Sequence, residues 1–145
     1  GKPFDGQITA LDVNTFQADQ LNPEGMEVLN PCQMFLREVA YHPESDIFLW
    51  NQLLSKNGKT AKNMFLAYDA GKNRWVYIKI DGGSGPPFEG IGAVCSGIKY
   101  DAKRGIFIVG NSAYEGGIHV MRFDPSKAEI LPIKDYVFPA AEPKK

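Results

Sequence analysis

Arg37-Glu-Val-Ala-Tyr41-His-Pro-Glu-Ser-Asp-Ile47-Phe48-Leu49-Trp50 returns later in the chain as Ser96-Gly-Ile-Lys-Tyr100-Asp-Ala-Lys-Arg-Gly-Ile106-Phe107-Ile108-Val109, at a single offset of 59 residues. Tyr41 meets Tyr100, Ile47 meets Ile106 and Leu49 meets Ile108. Each copy reads as a β-branched or aromatic strand, a short polar turn and a second strand, which is the pattern of an antiparallel hairpin. A second element occurs three times, as Ile8-Thr-Ala-Leu11-Asp12, Phe65-Leu-Ala-Tyr68-Asp69 and Val120-Met-Arg-Phe123-Asp124, at offsets of 57 and 55. Six residues beyond each Asp comes an apolar residue, Ala18, Trp75 and Ile130, so each predicts another hairpin. Aspartate fits these turns because its side chain hydrogen-bonds the nearby backbone.

Two hairpins in succession make a unit of four antiparallel strands in about 45 to 60 residues, the size of a propeller blade. The expected fold is therefore all-β. Residues 7–22 supply half a blade, 35–80 a blade, 93–133 another, and 134–145 a Pro-rich tail. Helical periodicity is nearly absent; its best candidate, Asn51 to Lys62, contains Gly58 and lacks an apolar stripe. Closed propellers need four to eight blades. About two and a half blades predict an incomplete propeller, a single partial unit over residues 1–145 with apolar faces for remaining blades from another chain or segment, or for a homo-oligomer.

Composition agrees. The 145 residues carry 15 glycines, ten prolines and 12% aromatics, a turn-rich globular profile. Sixteen basic against 17 acidic residues give a net charge of −1, which disfavours nucleic acid. No apolar run approaches the roughly 18 residues of a membrane span, and the first residues form no signal peptide. The missing initiator Met is expected to reflect removal of something upstream. Cys32 and Cys95 sit in no metal-ligand spacing; they form one bridge in an oxidising compartment or are two buried small hydrophobes. His42 and His119 lack convergent partners in the sequence, so neither predicts a metal site or a general base. No catalytic residue is nominated and no cofactor is implied. Trp50, Trp75, Tyr41 and Tyr100 are expected in packing, Asp12, Asp69, Asp101 and Asp124 in turns, and Gly82-Gly83-Ser84-Gly85 in a connection rather than a phosphate loop, because no helix follows it.

Tyr68-Asp69-Ala-Gly-Lys-Asn73-Arg-Trp75 resembles the Tyr-Asp…Asn-x-Trp hairpin of kelch repeats. Ile98 to Asn111 is similar to the Tyr-Asp-x-x-Arg-Gly hairpin of secreted bacterial kelch and galactose-oxidase-like propellers, and Gly85-Pro86-Pro87 to a crossing between blades. The double glycine of kelch is reduced here to Gly110-Asn111 and replaced by Asn51-Gln52, so related NHL-like or TolB-like propellers stay open. The resemblance implies a module that binds protein or glycan, or scaffolds a complex, in an extracellular or periplasmic setting. It places the binding face on the loops 51–63, 81–94 and 110–117, where Asn51, Gln52, Lys56, Lys59, Phe88, Asn111 and Tyr114 are the candidate contact residues. The alternative it implies is part of a galactose-oxidase-like or lyase-like enzyme whose active site another segment completes.

Overall fold

Aspartates shape the turns on which the strands reverse. The structure, a computed structural model, describes residues 7–34, 38–51, 54–57, 59–61, 64–79, 97–111 and 117–139, with the backbone alone for Gln33, Met34, Asn51, Thr60 and Asn111. In chain order it forms β1 (Ile8–Leu11), β2 (Ala18–Leu21), a four-residue helix α1 (Met26–Leu29), β3 (Gln33–Met34), β4 (Glu38–His42), β5 (Ile47–Asn51), β6 (Leu54–Lys56), β7 (Lys59–Thr60), β8 (Met64–Asp69), β9 (Arg74–Lys79), β10 (Gly97–Asp101), β11 (Ile106–Asn111), β12 (Gly117–Arg122) and β13 (Ile130–Pro132). Asp12 Oδ1 accepts from the amides of Asn14 and Thr15, Asp69 Oδ1 from Lys72, Asp101 Oδ1 from Arg104, and Asp124 Oδ1 from Ser126, at 2.8–3.2 Å. All four expected turns form through short-range bonds of this kind. The two copies of the first hairpin also share a left-handed residue at the same repeat position, Asp46 at φ 52° and Gly105 at φ 63°.

The fold is mostly β, in antiparallel sheets. The largest runs β13-β9-β8-β5-β4, a four-strand meander with one added edge; β10-β11-β12 forms a second sheet, β3-β6-β7 a third, and β1-β2 a hairpin. Alternation of side chains sends Ala40, Leu49, Phe65, Ala67 and Val76 to one face of the large sheet, where they meet Ile98, Phe107 and Val109 of the second sheet. Leu66, Tyr68, Trp75 and Tyr77 point to the other face, against Leu29, Cys32, Leu54 and Ile133. Both faces of the large sheet are thus buried, as its long apolar runs require.

Trp75, 1% exposed, centres the second core, with ring centroids 5.1 Å from Trp50 and 5.6 Å from Tyr68. Its amide donates to Glu24 O, which fixes the chain entering α1. Gly25 sits there at φ 93°, and a Cβ on it would strike Ile133 Cγ2 and lie 3.3 Å from Trp75 Cβ. Gly25→Ala is expected to destabilise by about 1–3 kcal/mol through overpacking and left-handed strain, read as a lower denaturant midpoint with unchanged slope.

One expectation within residues 93–133, the third copy of the second hairpin, is corrected. Phe123 and Ile130 do not form a third copy of the second hairpin; β13 leaves the second sheet and pairs with β9, Ile130 opposite Ile78 and Leu131 opposite Tyr77. Amides of Lys127 and Ala128 donate to Asp124 O and turn the chain away from β12. At the β9 edge Ile130 joins one core and Leu131 the other, while Lys79 N donates to Glu129 O at 3.0 Å and Lys79 Nζ to Glu129 Oε2 at 2.8 Å. The expected tail is also core in part: Tyr136 packs on Tyr77 at 5.1 Å, and Phe138 on Tyr136 at 5.1 Å. Cys32 is a buried free thiol donating to Val28 O, with its pKa pushed up by burial; Cys95 lies outside the described residues. No helix among the described residues is long and apolar enough to cross a membrane.

The Asp124 turn has an acid-sensitive signature. The Ser126 hydroxyl, then Lys127, hold the Asp124 carboxyl at about 2, below its ordinary 3.8. A carboxylate depressed in the folded state adds stability that is present above its ordinary value and lost as pH falls toward 2. The Asp124 carboxyl is expected to titrate by NMR with a midpoint near 2, the Ser126 amide following it; a midpoint at the ordinary value contradicts the turn.

Candidate functional site

Two open sheet edges lie side by side. β4 ends the large sheet and β10 ends the second. Between them runs a groove of about 530 Å3 lined by Glu38, Val39, Ala40, Tyr41, Ile98, Lys99 and Tyr100. Glu38 spans it: its Oε2 accepts from the Ile98 amide at 3.2 Å, and a Cβ at position 97 would collide with the same carboxylate, so Gly97 permits the approach. Val39 and Tyr41 are 46% and 42% exposed along the groove.

The polar groups beside the groove fall into two sets, Tyr41 with Asp46 and Tyr100 with Glu44, His42 and Ser45. Tyr41 Oη donates to Asp46 Oδ1 at 2.9 Å, and this bond, more than burial, raises the Tyr41 pKa. Tyr100 Oη donates to Glu44 Oε2 at 3.2 Å; burial first, then Glu44, raises its pKa. His42, 4% exposed, places Nδ1 2.8 Å from Ser45 Oγ and Nε2 3.4 Å from Glu44 Oε2. Its ring packs edge-on against Tyr100 and Phe123, with centroids at 4.8 and 5.1 Å. His42 is thus a core residue tying the two sheets together. Both tyrosines are held as neutral hydrogen-bond donors, so the groove offers aromatic surface, charges of both signs and two strand edges, which suits binding an extended chain or a polar ligand. Among the described residues no group of three His, Cys, Asp or Glu is placed to hold a metal ion.

Four of the residues expected at the binding face, Asn51, Lys56, Lys59 and Asn111, lie among the described residues. Lys56 and Lys59 flank the turn of the β6-β7 hairpin, directly opposite each other, with Asn57 left-handed at φ 54°. The segment 51–63 is therefore not one long loop: Leu54, 2% exposed, pins its hairpin to the core, and β6 pairs with β3. Lys56 Nζ lies 5.8 Å from the centre of the Phe138 ring, within cation–π range. Asn51 and Asn111 end β5 and β11, opposite Glu38 and Gly117. Gln52, Phe88 and Tyr114, with Gly82 to Pro87, lie outside the described residues. The structure brings Lys56 and Lys59 together and shows no shared surface between them and the groove. Sequence reading missed Glu38, Val39 and Lys99. The available signal was the repeated Tyr41 and Tyr100, assigned to packing; both pack on the equivalent phenylalanine of the next strand, Tyr41 at 4.6 Å from Phe48 and Tyr100 at 4.9 Å from Phe107, and Tyr41 in addition keeps 42% of its surface open. No protein-family model, no curated protein and no solved structure matches the chain.

Proposed function

We propose that the chain is a segment of a kelch-like propeller that works as a protein- or glycan-binding, scaffolding module, with the β4/β10 groove as its contact surface. The observation that carries this reading is the pair of adjacent strand edges bordered by exposed Tyr41 and Val39, with Glu38 and Lys99 beside them. Backbone groups along a strand edge give main-chain affinity to an extended partner, and the flanking side chains give selectivity. The repeated hairpins and the stacking of one sheet on the next favour the propeller. The extracellular or periplasmic setting belongs to the same reading and rests on the resemblance alone.

Titration of the chain with defined panels of extended peptides and of oligosaccharides, followed by amide shifts, tests it. Saturable shifts at Val39, Tyr41 and Lys99 that vanish in Tyr41→Ala and Lys99→Glu are expected. Saturable binding that leaves these amides unmoved overturns the assignment.

A further inference from the structure

The contact between the two main sheets has a direction. The large sheet turns Ile47, Leu49 and Phe65 toward the second sheet, where all three are buried. Their repeat counterparts are Ile106, Ile108 and Val120. Ile108 and Val120 lie on the side of the second sheet facing away from Phe107 and Val109. There Ile108, Ile118 and Val120 are 38%, 77% and 64% exposed. The face that is covered in one unit is bare in the next.

The opposite end of the stack carries the complementary feature. Leu11 pairs with Ala18 as Tyr68 pairs with Trp75, at the same offset of 57, so β1-β2 is a second hairpin of the same unit. Ile8, the counterpart of Phe65, packs against the Trp75 core, just as Phe65 packs toward the following sheet. Leu11, the counterpart of buried Tyr68, is 56% exposed, and Val13 and Phe16 beside it are 72% and 79% exposed. Phe16 adopts φ 56° where its sister hairpin has Asn73 at φ 47°. Asparagine tolerates the left-handed region, whereas an aromatic residue there is strained and gains nothing from local packing at this exposure.

We propose that the chain self-associates head to tail, the Leu11/Val13/Phe16 end of one copy covering the Ile108/Ile118/Val120 face of a second copy. The contact continues, between chains, the sheet-on-sheet relation already formed within one. Charge supports the pairing: Arg122 projects from the bare face of the second sheet, and the opposing hairpin presents Asp12, whose pKa is lowered by amide bonds from Asn14 and Thr15. The surfaces differ from each other, so the contact is heterologous and each copy keeps one free end until a ring closes. It uses faces other than the β4/β10 groove, and either reading can fail alone.

Sedimentation velocity of the wild-type chain, of Ile118→Lys, of Phe16→Asp and of their equimolar mixture tests it. Species heavier than the 16.0 kDa chain, growing with concentration, are expected for the wild type. Each variant is expected to be monomeric and the mixture to form a dimer and nothing larger, because each retains one intact, complementary end. Val120→Lys is expected to repeat the Ile118→Lys result and replaces it if that variant does not fold. A monomeric wild type, variants that assemble as the wild type does, or a mixture that stays monomeric overturns the proposal.

Discussion

Trp75→Ala lowers the unfolding free energy by about 3–5 kcal/mol, a large share of the roughly 5–15 kcal/mol available to a domain. The indole is 1% exposed and touches Trp50 and Tyr68 in the core that also holds Leu29, Leu54 and Ile133. These neighbours come from α1, from the β6-β7 hairpin and from the segment after β13, and a small residue leaves a void that elements so far apart in sequence cannot close together. Equilibrium urea unfolding monitored by circular dichroism checks it. A loss below about 1 kcal/mol would mean that this face of the large sheet is wetter than described.

Phe107→Ala has an effect of similar size, about 3–5 kcal/mol, but a different distribution. Phe107 is fully buried between the two sheets, with ring centroids 6.0 Å from both His42 and Phe123 and 4.9 Å from Tyr100. The second sheet has three strands and joins the large one through this interface, while the Trp75 core lies on the far side of the large sheet. Native-state hydrogen exchange is expected to show the amides of β10 to β12 losing protection first, with β8 and β9 losing less. Uniform loss across both sheets would show that they open as one cooperative unit.

The difference between these two sites follows what could be read in the sequence. Glu38–Asn51 and Gly97–Asn111 were legible as hairpins because apolar alternation and turn residues are both local, and the repeat showed each twice. The four aspartate turns were legible for the same reason. The partner of Ile130–Pro132 was not, because the choice between β12 and β9 depends on which open edge offers a core on each face, and Lys79 lies 50 residues from Glu129. Helix α1 is four residues long, too short to show a period. Tyr136 and Phe138 looked like tail residues because only the folded position of Tyr77 gives them something to pack on. The candidate groove was hidden by a related ambiguity. Tyr41 and Tyr100 occupy equivalent repeat positions and pack on the equivalent Phe48 and Phe107, yet Tyr41 stays 42% exposed, since exposure depends on what lies beside each strand edge.

The second sheet lays its aromatic face, Tyr100, Phe107 and Phe123, on the face of the large sheet that carries Ala40, Leu49 and Ala67. Side-chain nuclear Overhauser effects from the ring of His42 measure that relation directly. Cross-peaks from His42 to Tyr100 and Phe123, whose centroids lie 4.8 and 5.1 Å away across the sheet boundary, are the expected result. A His42 ring that shows contacts only within its own sheet, with Phe107 and Phe123 contacting only β10 to β12, would contradict it.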